Sequence, residues 1–173
     1  MKNMKKIFVY TLVLGFLFTF NACQEEFEPG GTVVQEMAGT YTVLYNHDDY
    51  GTDPFGVGFS QIIMYNTSSE STTEMWLNDQ GNFWEYKVKV PIDLNNLTFG
   101  SPDTLINAID GYEIKVIVEN GKIIPGAATP PSGNPVDSIY FDIWFDDLAG
   151  STGIESDRLR VGGFRYTGWP EDE

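Results

Sequence analysis

One cysteine and one histidine stand in 173 residues, and their scarcity excludes a good deal. A single cysteine closes no disulfide within the chain, so the fold must rest on its core rather than on covalent staples. One His and one Cys cannot assemble the four nitrogen or sulfur ligands of structural zinc. Positive charge is scarce too: ten Lys and Arg oppose twenty-five Asp and Glu, a net charge of −15. Such a field repels nucleic acid and anionic lipid surfaces, so no nucleic-acid partner is expected. No motif implies a cofactor. Long apolar runs are missing after residue 20. What is plentiful is aromatic: twelve Phe, nine Tyr and four Trp, enough to fill the core of one domain.

The one apolar run opens the chain. Lys2, Lys5 and Lys6 precede an almost wholly apolar Ile7 to Phe20, then Asn21, Ala22 and Cys23. A positive start, a short apolar zone and a small residue are the layout of a secretory signal. The zone falls short of the ~20 apolar residues that a membrane-spanning helix needs, which disfavours the alternative of a retained anchor. Ala22-Cys23 resembles the lipobox of bacterial lipoproteins, with Phe20 where leucine is usual. The resemblance implies cleavage after residue 22 and a lipid thioether on Cys23. Gln24-Glu25-Glu26 resembles the export label of surface lipoproteins in Bacteroidetes. Residues 1–22 are therefore expected to be a signal peptide and 23–38 a flexible acidic tether. Residues 39–173 are expected to form a single domain. After Cys23 seven Lys and Arg face all twenty-five acids, a net charge of −18.

The body reads as β. Apolar residues alternate with polar ones in Tyr41–Tyr45, Thr73–Leu77, Trp84–Val90, Tyr112–Val118, Ile139–Phe145 and Leu159–Val161. Ser60–Asn66 is more continuously apolar, as a strand covered on both faces would be. Asn120-Gly121 suits a two-residue hairpin turn. Ser101-Pro102-Asp103 suits the start of a brief helical turn across 101–109. Gly162-Gly163 suits a bulge or a close approach of chains. About eight antiparallel strands must manage their edges. An up-and-down, lipocalin-like barrel does so by closure, and a two-sheet sandwich is the alternative.

Motifs that would name a chemistry are thin. Gly58-Phe59-Ser60-Gln61-Ile62 lacks the second glycine of a nucleophile elbow. Ser60, His47 and Asp49 nevertheless hold the residue types of a hydrolytic triad, which geometry alone decides. Asp48, Asp49 and Asp53 are the best source of oxygen ligands for a surface calcium ion, without the loop of an EF-hand. Trp76 and Trp144 lie opposite the more apolar faces of their strands, and Trp84 lies on one. These three are the candidates for contact with an apolar ligand or a sugar ring.

The leader, GTYTVLYN, WEYKVKVPIDLNNLTFGS and RLRVGGFRYTGW together resemble a family of Bacteroidetes lipoproteins named lipid-binding putative hydrolases, with a lipocalin-like barrel. Gly39-Thr40-Tyr41 echoes the lipocalin opening, with tyrosine in the place of tryptophan. The resemblance implies binding of a lipid or other small apolar ligand by an outer-membrane lipoprotein whose membrane partner is reached through acylated Cys23. It transfers no catalytic residue. A hydrolase of ester or lipid substrates, and an accessory module for capturing glycan or protein at the surface, are the alternatives.

Overall fold

A computed structural model describes residues 31–154 and 156–172. The signal peptide expected over 1–22, Cys23 and the start of the expected tether lie outside the described residues. Nine strands form one antiparallel sheet: β1 (Gly39–His47), β2 (Gly51–Thr52), β3 (Ser60–Asn66), β4 (Glu74–Asn78), β5 (Lys87–Asp93), β6 (Thr98–Ile106), β7 (Lys115–Ala128), β8 (Val136–Phe145) and β9 (Leu159–Arg165). Each strand from β3 to β9 pairs with its neighbour in sequence, and β9 returns to β1. Eight strands thus close a barrel, and β2 adds a short pairing beside the end of β1. The expected up-and-down barrel is the fold observed. Closure removes the free edges that an open sheet exposes.

Closure requires β1 and β9 to approach closely, and Gly163 permits it. A Cβ there would sit 2.0 Å from the Thr42 carbonyl oxygen. The β8–β9 register runs unbroken past Gly162 and Gly163, so this pair marks a close approach and not a bulge. Alternation then decides what lies inside. Tyr41, Val43 and Tyr45 of β1 are buried, as are Val88 and Val90 of β5 and Phe141, Ile143 and Phe145 of β8.

Three local expectations give way. Ser60–Asn66 is not covered on both faces: Ile62 and Met64 are buried, whereas Ile63 and Tyr65 are half-exposed on the outside. Asn120-Gly121 does not turn the chain. Asn120 takes φ +56° inside the long β7, where the β7–β8 register shifts between Glu119 and Lys122. Its left-handed backbone builds a bulge rather than a hairpin. Ser101-Pro102-Asp103 opens no helix. It lies in β6, in a stretch where register shifts relieve Pro102 of any duty to donate to the ladder. The described helix is the single turn α1 (Ala149–Thr152), with a 3-10 turn at Pro170–Asp172.

The chain packs from before β1. Val34 and Met37 are fully buried in the core. The Tyr41 hydroxyl donates to the Met37 carbonyl at 3.0 Å. Arg165 donates to the carbonyls of Glu36 and Ala38 and lies over the Tyr41 ring. Residues 34–38 are therefore a plug on the end of the barrel where β1 begins.

Candidate functional site

Among the described residues the barrel shows no open interior: 23 apolar side chains are buried, from 0 to 4% exposed. Barrels of eight strands are just wide enough for side chains to fill, and large aromatics fill this one. Clefts lie on the outside, and one opens at the end where β1 finishes.

Four loops meet at that end: 48–59, 79–86, 107–114 and 146–158. The second is wound around one carboxylate. Asp79 is fully buried. Its Oδ1 accepts the N–H groups of Gly81 and Tyr86, and its Oδ2 those of Phe83, Trp84 and Glu85, all between 2.8 and 3.1 Å. A buried carboxylate is costly unless so satisfied, and five donors at once leave the loop a single conformation. Asn107 fixes the outgoing side. Its Nδ2 donates to the carbonyls of Glu85 and Tyr112, and its Oδ1 accepts the Lys87 N–H.

What this scaffold holds out is a set of rings. Phe83 stacks on Tyr45 with centroids 3.7 Å apart. Trp84 stacks on Phe145 at 5.3 Å. Phe55, from the first loop, meets both Phe83 and Trp84 edge-on. Tyr45, Tyr86 and Phe145 are buried below, while Phe55, Phe83 and Trp84 are half-exposed above. Asp147 ties the shelf to the fourth loop by accepting the Trp84 indole N–H at 2.9 Å and the Tyr112 hydroxyl at 2.6 Å. Beside Phe55 opens a cleft of ≈ 570 Å³ lined by Tyr50, Pro54, Phe55, Ser151 and Thr152. That size falls within the roughly 300–1,000 Å³ typical of small-ligand sites. The Tyr50 hydroxyl reaches the Thr152 carbonyl across it.

Burial and the carboxylates set the ionisation of these tyrosines. Tyr45 and Tyr86 share a hydrogen bond of 3.0 Å in the core, and burial pushes both phenols well above their ordinary range. Burial followed by the bond to Asp147 does the same for Tyr112. All three are neutral at physiological pH, so the shelf is apolar in its rings and acidic only at its rim.

Of the tryptophans singled out from sequence, Trp84 alone joins this site. It does so from the loop before β5 rather than from the strand itself. Trp76 lies half-buried on the outside of β4, stacked on Tyr65, with Lys87 Nζ 4.9 Å and Lys89 Nζ 5.6 Å from its ring. Trp144 lies half-buried outside β8, with the Arg158 guanidinium 5.8 Å from its ring. Phe55 and Phe83 were not legible as site residues, because only the loop geometry brings them to Trp84.

The polar candidates do not converge. Asp48 pairs with Arg160 at 2.9 Å. Asp53 is engaged within its own loop, accepting the N–H groups of Val57 and Gly58. The backbone N–H of Asp49 donates to His47. No group of three or more His, Cys, Asp or Glu among the described residues is arranged to hold a metal. His47 turns Nδ1 to backbone donors and Nε2 towards a carboxylate. Nδ1 accepts the N–H groups of Asp49 and Tyr50, and Nε2 lies 3.2 Å from Asp157 Oδ2. A triad base needs the reverse, with Nδ1–H on the carboxylate and Nε2 free for the serine proton. Ser60 Oγ is buried with no hydrogen-bond partner, His47 included.

The fold is thus a closed β-barrel with a filled core and, at one end, a cleft lined by Tyr50, Pro54, Phe55, Ser151 and Thr152. The chain belongs to the family described as lipid-binding putative hydrolase, whose model matches residues 26–170. No curated protein matches it.

Proposed function

We propose that this protein is a non-catalytic, lipid-anchored lipoprotein of the outer membrane that binds a lipid or similar apolar ligand on the Phe55–Phe83–Trp84 shelf. The observation that carries the reading is this half-exposed shelf beside its cleft, on a barrel whose interior is full. Half-exposed rings held rigid offer contact area at little entropic cost. The family's lipid-binding description agrees with an apolar ligand. The anchor rests on the sequence: a lysine-led apolar run ending in Ala22-Cys23, with Gln24-Glu25-Glu26 as a surface label. Strand β1 begins at the end of the barrel opposite the shelf. The orientation of His47, with Nδ1 on two backbone N–H groups and Ser60 Oγ without a partner, speaks for a binder rather than a hydrolase.

Two measurements test this. Intact mass of the protein taken from membranes should show a diacylglycerol thioether on a chain beginning at Cys23, and Cys23→Ser should release the protein into the soluble fraction. Titration with a neutral ten-carbon alcohol should saturate, and Phe55→Ala should weaken it about tenfold, the scale of losing one well-buried ring contact. An unmodified Cys23 removes the anchor; equal affinity in Phe55→Ala removes the shelf.

A further inference from the structure

A second cleft lies on the flank of the barrel, and charge sets it apart from the cleft at the shelf. Strands β5 and β6 share only two ladder pairs, Ile92 with Phe99 and Asp93 with Thr98. Prolines accommodate the separation. Ile92 N–H points to Thr73, so by alternation the nitrogen of Pro91 faces β6 and has no proton to offer. Pro102 stands in the separated stretch of β6. Glycines press β6 onto β7: a Cβ at Gly100 would lie 2.4 Å from the Val118 carbonyl oxygen, and one at Gly121 would lie 2.5 Å from the Phe99 ring. The cleft that opens there is lined by both Asp93 and Lys122, which carry opposite charges. Its lining favours neither anion nor cation.

The end that bears the shelf is one-sided. Its loops 48–59, 79–86, 107–114 and 146–158 carry three, two, two and four acidic residues, and Arg158 is their single Lys or Arg. Arg158 turns away from the rings, pairing with Glu119 at 3.3 Å and lying beside Trp144 on the outside of β8. The nearest strand cations are turned outward too. Lys87 and Lys89 lie over Trp76 outside β4, and Arg160 holds Asp48. Lys115 is exposed next to the buried Val116, so it stands on the outer side of β7. Carboxylates, in contrast, reach the shelf. Asp147 accepts the Trp84 indole N–H, and Glu85 follows Trp84 in its loop. After burial, the bond to Asp147 and the charges of Asp147, Asp146 and Glu85 all raise the Tyr112 phenol, so the three carboxylates act together at the shelf's edge. Among the described residues no three such groups close into a cage for a metal ion. A spread negative field beside ring faces suits a large, weakly hydrated organic cation, which the negative face of a ring attracts.

The hydrogen bonds of the cleft narrow the choice of cation. Acceptors at Thr152 are already taken, its carbonyl by the Tyr50 hydroxyl and its Oγ1 by the Ile154 N–H, both at 3.3 Å. A primary ammonium brings donors that need such acceptors, whereas a quaternary ammonium brings none. We propose that the ligand of the shelf carries a quaternary ammonium group, seated on the rings of Tyr50 and Phe55 in the cleft of ≈ 570 Å³, with the carboxylates at the edge of Trp84 supplying the field. This assignment rests on the ring shelf as the binding site and specifies the head group that the shelf selects. The acidity of the whole chain draws any cation towards the protein, so the rings must be tested apart from that general pull.

The test compares choline with its neutral carbon isostere, dimethylbutanol, in titrations read at the Trp84 indole N–H. Choline should bind about tenfold more tightly, the scale of a partly desolvated cation–π contact. Phe55→Leu keeps an apolar side chain but removes the ring, and should bring the two probes close to level. Tyr50→Leu should narrow the gap as well. Equal affinities in the native chain, or a preference for choline that survives undiminished in Phe55→Leu, would overturn the proposal. Saturation by the neutral ten-carbon alcohol with no preference for choline would keep the shelf and remove its head group. A shelf that takes neither the alcohol nor choline would remove both readings.

Discussion

The segments 79–86 and 100–106 both depart from the regular ladder, and they are held in opposite ways. The first is wound around a buried carboxylate that satisfies five backbone N–H groups. The second is set off from β5 by prolines and pressed onto β7 by glycines. One uses polar bonds to fix rings in the open; the other uses missing N–H groups and missing side chains to separate β5 from β6. The difference teaches how a barrel with a full interior still forms clefts. It builds them on the outside, one by clamping a loop and one by opening a seam.

The sharpest way to break this contrast is to remove the clamp. Asp79→Ala leaves five N–H groups without their common acceptor, and should cost about 3–5 kcal/mol. The midpoint of urea unfolding measures the loss, and a shift within error of zero would mean the loop holds without its carboxylate. A smaller effect is expected beneath the shelf. Tyr45→Phe or Tyr86→Phe alone leaves one buried hydroxyl without a partner and should cost about 1–3 kcal/mol. The double substitution removes both hydroxyls and should recover most of that loss, a coupling that a double-mutant cycle reads directly.

Alkali probes the same rings. Tyr45 and Tyr86 in the fold ionise well above the ordinary value of 10.0, and Tyr41 is pushed up to about 12 by burial, against the opposing pull of Arg165. In the unfolded chain these phenols release their protons near pH 10. Their stabilising contribution is therefore fully present below pH 10 and is lost as the pH rises through the folded values. Unfolding monitored by circular dichroism should show a flat stability from neutral pH to about 9.5 and a steady fall beyond it. The smallest effect belongs to the seam. Pro102→Ala restores an N–H where no ladder calls for one, and should change stability by no more than about 0.5 kcal/mol. A large loss there would mean that the proline ring itself packs against the fold, beyond withholding an N–H.

Most of the barrel was legible because alternation is a strong signal. WEYKVKV places Tyr86, Val88 and Val90 inward, and they are buried. Two of the three errors share one cause. Asn120-Gly121 and Ser101-Pro102-Asp103 carry the residues of turns and helix starts, but the fold uses them for a bulge and a detached stretch of strand. Their local chemistry is the same in either setting, and only the long-range pairing of β6 and β7 selects between them. The site was legible in one residue of three. Trp84 stands out for its size, whereas Phe55 and Phe83 become site residues only because Asp79 and the loop after β2 bring them to it. The packing of Val34 and Met37 was hidden by the acids, Pro29 and the glycines around them.

The central claim is that ligand is held on the outside of a solid barrel. It is tested most directly by a two-dimensional NMR titration with the neutral ten-carbon alcohol, observing the Trp84 indole N–H and the methyl groups of Ile139 and Ile143 together. The account predicts that the indole shifts on saturation while the two interior isoleucines stay in place. Shifts at Ile139 and Ile143, with the Trp84 indole unmoved, would show that the interior opens to admit the ligand and would contradict it.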